Sequence, residues 1–267
     1  MKVDKLKAGV VLSYIAIISN SVIGLIYTPY MLHKLGQSEY GLYSLTASII
    51  TYLTILDFGF GNAIVRFTSK FRALKKTQEQ KEMLGMFFVL YTIIGILSFV
   101  IGLVLYFNIE NMFSRTMTPM EVHRAKIMLL LLLFNLAFTF PMSVYKSLLL
   151  AYEEFVLQQV LNIIYIVFNP IVMVIMLFFG YKAIAMVVIQ TIFNVATLLF
   201  DWWYCYHKLD VRLVFKRFRL DFFKEIIVYS SWVFLGAIME IIYWSTGQFI
   251  LRIYKATIAI AVFSVAI

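Results

Sequence analysis

An all-α polytopic membrane fold follows from three properties of this chain. Its residues are 63% hydrophobic and only 14% charged, where a soluble domain carries about 25% charged and 45–50% apolar residues. Its mean hydropathy is +0.90. Its apolar residues come in runs of about 20, the length a helix needs to cross a bilayer. Lipid is therefore the solvent for most of the chain. A backbone in lipid must satisfy its own hydrogen bonds, and the long uniform runs select helices over a barrel.

Seven spans are predicted, at 8–32, 41–64, 84–107, 127–150, 155–179, 183–206 and 226–250. An eighth begins near 257 and stops at Ile267. A half-crossing helix leaves backbone groups unsatisfied in hydrocarbon, so the chain reads as a piece of a longer protein. The opening "MKVDKLK" leads straight into an apolar run too long for the core of a signal peptide. Cytoplasmic loops carry an excess of Lys and Arg. With the N-terminus inside, sixteen of the 23 basic residues fall on the inner side and seven on the outer. The N-terminus is thus expected in the cytoplasm. A net charge of +9 on a soluble chain suggests nucleic acid. Gathered at one membrane face it points instead to anionic lipids, and no nucleic-acid partner is expected.

In the first span, Asn20 lies in the polar triplet of "ISNSVIG". Such residues bond between helices or line a substrate path. The second span ends in "YLTILDFGFGNAIVRFTSKFRALKK", which places Asp57, Asn62 and Arg66 near lipid. An ionisable group at the centre of a span costs about 2.5–3.5 kcal/mol or more. Asp57 and Arg66 read either as a gate or register lock, or as a helix cap and a snorkelling cation. The fourth span carries Pro141, which predicts a kink, and then Lys146 near its inner end. Lys146 either snorkels or offers a cation to an anionic substrate. Glu153 and Glu154 read as a loop face. Asp201, beside Trp202, Trp203, Tyr204 and Tyr206, reads as part of an interfacial belt.

Between the sixth and seventh spans, "RLVFKRFRLDFFKE" (Arg212 to Glu225) spaces its apolar residues at helical intervals, with Arg212, Lys216 and Arg219 off that stripe. This predicts an amphipathic helix lying on an anionic leaflet. In the seventh span, Glu240 stands among apolar neighbours with no cation within one turn. It is the candidate ion-coupling carboxylate; the alternative is a protonated structural carboxyl. The single cysteine, Cys205, excludes an internal disulfide. His33, His123 and His207 lack metal-ligand spacing, so no metal or cofactor is expected.

"IGLIY" (Ile23 to Tyr27) aligns with "MEIIY" (Met239 to Tyr243), and "GLYSL" (Gly41 to Leu45) with "AVFSV" (Ala261 to Val265). Six spans separate the copies, so both run the same way through the membrane. Parallel repeats of this kind build two-lobe secondary transporters. The expected organisation is an N-terminal lobe of six spans over 1–207, the amphipathic connector over 208–225, and the start of a second lobe over 226–267.

The residues now assembled carry a resemblance. "YTPYML", "LGQSEYGLYSL", "LDFGFGNAIVR", "YKSLLLAYEEF" and "TIAIAVFSVAI" resemble bacterial flippases of lipid-linked oligosaccharides, within the multidrug/oligosaccharidyl-lipid/polysaccharide exporter superfamily. Where such proteins often carry an acid after Thr near the end of the seventh helix, this chain has Gly247, with Arg252 further on. That leaves Glu240 to take the acid's place. The resemblance implies a transporter of the inner membrane rather than an enzyme, with an undecaprenyl-diphosphate-linked oligosaccharide as substrate. It also implies alternating access between two lobes, and contact with other membrane proteins of polysaccharide assembly. The rival readings are a drug or cation antiporter of the same superfamily, and a membrane polymerase or ligase acting on the same lipid. The longest outer stretch, Asn108 to Lys126, offers little catalytic chemistry for the latter.

Overall fold

The computed structural model describes residues 2–113, 118–215 and 223–239. Every described regular element is a helix, and no strand occurs among the described residues. The elements are α1 (Lys2–Leu53), a short 3-10 turn (Thr54–Asp57), α2 (Phe60–Ala73), α3 (Thr77–Phe113), α4 (Pro119–Ala151), α5 (Phe155–Phe178) and α6 (Ala183–His207), followed by helical residues 223–239. Among the described residues, six segments are long and apolar enough to cross a membrane: Lys7–Gly36, Glu39–Ala73, Thr77–Asn111, Pro119–Ala151, Phe155–Phe178 and Ala183–His207; the expected seventh span runs past 239, and the eighth lies wholly outside the described residues. The chain is an all-α multi-pass membrane protein.

Two spans share α1. They meet at Gly36, whose backbone stands at φ 78 and ψ 165. That conformation is open to glycine and strained for other residues, and it turns the chain back across the bilayer. The second of these spans departs from a single helix over 41–64. It tightens into a 3-10 turn at Thr54–Asp57 and resumes at Phe60. α4 starts eight residues before the apolar run suggests, because Thr118 and Glu121 form a capping box ahead of it. The Thr118 backbone N–H donates to Glu121 Oε2 at 2.8 Å, and Glu121 N–H donates to Thr118 Oγ1. Pro119 at the first helical position lacks only an N–H that would be unpaired there.

The chain divides into two compact units, Met1–Asp57 with Ile64–Phe218, and Phe58–Ala63 with Arg219–Ile267. In the first, α4 is the central helix and packs against α3 and α6, while α1 packs along α5. The α3–α4 contact has a local cause. Pro141 lacks the N–H that would bond the Ala137 carbonyl. Gly95 of α3 sits against that freed oxygen, so close that a Cβ there would lie 2.7 Å from it. At the end that carries most of the basic residues, Arg72 Nη1 donates to the Ala151 carbonyl at 2.5 Å, and its guanidinium lies 3.9 Å from the centroid of the Tyr152 ring. A cation there complements the C-terminal dipole of α4. In the second unit, the Phe58 ring meets the Phe234 ring at 5.0 Å.

The expected amphipathic helix does not begin at Arg212. Residues 210–215 have no regular secondary structure, and 216–222 lie outside the described residues. The chain runs along the start of α3 instead. The Val214 N–H donates to the Lys81 carbonyl at 3.2 Å, and Gly85 leaves room for the Val214 carbonyl, which any Cβ there would strike. Val211 is buried, and the Phe215 ring meets the Phe88 ring of α3 with centroids 6.0 Å apart. The proposed repeat places its second copy from Met239 onward, all but Met239 outside the described residues.

Candidate functional site

Helix α6 carries Gln190, Asn194, Thr197 and Asp201 at successive intervals of four, three and four residues. That spacing puts all four on one face. Helix α5 repeats the pattern with Gln158, Asn162, Tyr165 and Asn169. Two polar stripes in apolar spans must bury their groups against each other or around water. The α5 and α6 stripes, with Lys146 of α4, enclose a cavity of about 370 Å³. Its walls are Lys146, Gln158, Gln159, Leu161, Asn162, Tyr165, Asn194, Thr197 and Asp201.

Hydrogen bonds fix this wall. Asn194 Nδ2 donates to Asn135 Oδ1 at 2.6 Å and to Thr139 Oγ1 at 2.8 Å. Gln158 Nε2 donates to the Lys146 carbonyl at 2.8 Å. Thr197 Oγ1 donates to the Phe193 carbonyl at 2.9 Å. Deeper in the lobe, Tyr43 OH donates to Gln190 Oε1 at 3.0 Å. Lys146 is exposed at the mouth, whereas Asp201 is only 3% exposed. The Lys146 ammonium acts electrostatically on the Asp201 carboxylate.

A second cavity, of about 430 Å³, lies between α1 and α5 and is lined by Ser13, Ala16, Ile17, Asn20, Gln159, Asn162, Tyr165 and Ile166. Gln159, Asn162 and Tyr165 line both cavities. α5 is therefore a shared polar partition.

Of the residues singled out in the sequence, Lys146 and Asn20 stand in these walls. Asp57, Asn62 and Arg66 are not among the lining residues of either cavity. Asp57 ends the 3-10 turn, and its Oδ1 accepts from Tyr91 OH at 2.6 Å. Tyr91 is fully buried and stacks on Phe140 with centroids 6.1 Å apart. The bond ties the break in the second span to α3, and through the Tyr91–Phe140 stacking to α4. Tyr91→Phe is expected to lower stability by about 1.5 kcal/mol, since it leaves a charged acceptor without this donor. Asp57→Asn, which keeps an acceptor oxygen, is expected to cost less. Thermal unfolding of the detergent-solubilised protein checks the order, and equal melting temperatures for Tyr91→Phe and wild type would refute it. Asn62 and Arg66 are exposed on α2, with the Arg66 guanidinium 5.7 Å from the Phe67 ring centroid. Glu240 lies outside the described residues.

Asp201 is the main correction. It is buried in the cavity wall rather than spread on the interface, while its neighbours Trp202, Trp203 and Tyr206 are exposed. The α5 and α6 amides were also missed, and their four-three-four spacing was the available signal. Among the described residues, no group of three His, Cys, Asp or Glu side chains could hold a metal ion.

The family model described as polysaccharide biosynthesis protein matches residues 6–267. No curated protein matches the chain, and no solved structure matches it.

Proposed function

The chain belongs to the polysaccharide biosynthesis protein family, and from that premise we propose that it carries an undecaprenyl-diphosphate-linked oligosaccharide across the bacterial inner membrane. The N-terminus faces the cytoplasm, the substrate crosses by alternating access of two lobes, and no covalent chemistry takes place. The observation that carries this reading is the amide-walled cavity with a cation at its mouth, set in a lobe of apolar spans.

Phosphates and sugar hydroxyls cannot enter hydrocarbon without losing their hydrogen bonds to water. Amides, a hydroxyl and a carboxylate can replace that water group by group. Lys146 supplies a charge-assisted bond to phosphate. The isoprenoid tail needs none of this and stays in lipid. Anionic lipids gather at the basic face, and other membrane proteins of polysaccharide assembly are the natural neighbours of such a carrier.

The test is depletion of the protein in its native cell, followed by enzymatic probing of the lipid-linked glycan from each side of the inner membrane. The proposal expects glycan to accumulate on the inner leaflet and surface polysaccharide to fall. Normal surface polysaccharide with lowered drug tolerance would favour the antiporter reading instead. Accumulation of unpolymerised glycan on the outer leaflet would favour a polymerase or ligase.

A further inference from the structure

The cavity between α4, α5 and α6 contains one group that the fold leaves unsatisfied. Asp201 Oδ1 is buried and has no hydrogen-bond partner among the described residues, and the side chain lines the cavity. A buried carboxylate oxygen without a donor is strongly disfavoured. Its neighbours do not supply the donor. Both Nδ2 hydrogens of Asn194 go to Asn135 and Thr139. The Thr197 hydroxyl hydrogen goes to the Phe193 carbonyl. One Nε2 hydrogen of Gln158 goes to the Lys146 carbonyl. Toward the cavity the α6 side offers mainly acceptors, the Asp201 carboxylate, the Asn194 amide oxygen and the Thr197 lone pairs, while Gln159, Asn162 and Tyr165 of α5 can donate or accept. The α6 side therefore suits ligand groups that donate.

At the mouth the chemistry reverses. Lys146 is a cation with three donors and no acceptor, and it is exposed there. A ligand that fills both ends has hydroxyl donors inside and an anion outside. A bare metal cation suits the acceptors inside but brings no anion for Lys146, which repels it on entry. The volume of about 370 Å³ lies near the small end of ligand pockets, which span roughly 300–1,000 Å³. It suits a single sugar ring rather than a chain of them.

We propose that this cavity is a glycosyl-phosphate subsite. Asp201 accepts from the hydroxyls of an uncharged pyranose, and Lys146 holds the phosphate attached to that sugar. The proposal rests on the transport reading above and adds to it which sugar of the glycan is held, namely the one next to the diphosphate. It also sets a charge rule. A ring that bears a carboxylate is repelled by Asp201, so a ring without one binds best.

The test uses the purified full chain in detergent, titrated calorimetrically with glucose 1-phosphate, N-acetylglucosamine 1-phosphate, inorganic phosphate and sodium chloride. At least one sugar phosphate is expected to bind about tenfold or more tighter than inorganic phosphate, the scale of a few added hydrogen bonds. Asp201→Asn, which preserves shape, is expected to shrink that ratio to about threefold or less, with phosphate affinity held or raised because a negative charge beside the anion is removed. Asn162→Leu, on the opposite wall, is expected to shrink it as well. Lys146→Gln is expected to weaken every phosphate ligand about tenfold. A ratio that survives both Asp201→Asn and Asn162→Leu overturns the subsite. So does sugar phosphate binding no tighter than inorganic phosphate, or a site that takes sodium alone. None of these results bears on leaflet accumulation in depleted cells, which judges the transport reading separately.

Discussion

Replacing Lys146 by Ala is expected to reduce export of the lipid-linked glycan ten- to a hundredfold while folded protein stays in the membrane. The cation is exposed at the cavity mouth, so the fold does not depend on burying it. The substrate does depend on it. A diphosphate entering this space is opposed by the Asp201 carboxylate and finds only neutral donors in the amides and the Tyr165 hydroxyl. Lys146 is the one donor-only group in that lining. A hydrogen bond to a charged partner is worth about 1.5–3 kcal/mol, which is roughly a ten- to hundredfold change in affinity. Lys146→Arg should keep much of the activity, since it restores charge and donors. Lys146→Glu should be worse than Ala, because a second carboxylate then faces both the phosphate and Asp201. The measurement is the rate of glycan appearance on the outer leaflet at matched protein levels. Equal rates for Ala, Arg and Glu variants would remove Lys146 from the transport path.

Arg124→Ala is expected to have the largest effect on stability. Arg124 pairs with Glu39 across α4 and the second limb of α1. Glu39 is buried, and its Oε2 has no hydrogen-bond partner among the described residues. Removing the arginine leaves an uncompensated buried charge, which costs about 3–5 kcal/mol when the site is dry. Arg124 keeps 27% of its side-chain surface exposed, so the lower part of that range is expected. The control is the double variant Arg124→Met with Glu39→Leu. Replacing a buried ion pair by apolar groups is often neutral or stabilising, so the double variant should melt near or above wild type. The check is the thermal unfolding midpoint in detergent together with recovery from size-exclusion chromatography. If the double variant melts as low as the single one, the loss belongs to packing around Arg124 and not to the stranded carboxylate.

The spans were legible because hydrocarbon imposes one condition, length of apolar run, that needs no knowledge of neighbours. Their ends were less legible. The start of α4 is set by the Thr118–Glu121 box, a local pattern present in the chain but outweighed by the apolar run beginning later. The break at Thr54–Asp57 falls just before the glycines of the "DFGFGN" stretch. The Tyr91 bond that secures it comes from a residue 34 positions away. Lys146 stood out as a lone charge, and Asn20 as the centre of a polar triplet, in apolar surroundings. Asp201 was hidden by its company. Trp202 and Trp203 announce an interface, yet they leave α6 on a different face from Asp201. Gln158 and Gln159 fall in the first turns of α5, where a polar residue reads as loop. Whether a polar side chain faces lipid, water or a partner is settled by rotation about the helix axis, and one helix read alone does not fix it.

The pairing at Pro141 has a mechanical consequence. With Gly95 seated against the freed Ala137 carbonyl, α3 and α4 are clamped backbone to backbone, and α6 is packed on the same block. α1 and α5 form a second leaf, packed on this block mainly through α1 against α4 and α5 against α6, while α5 meets α4 over only a small patch. The hollow that holds Lys146 and Asp201 lies along the seam between block and leaf. Sliding the leaf would change its width while the clamp stayed shut.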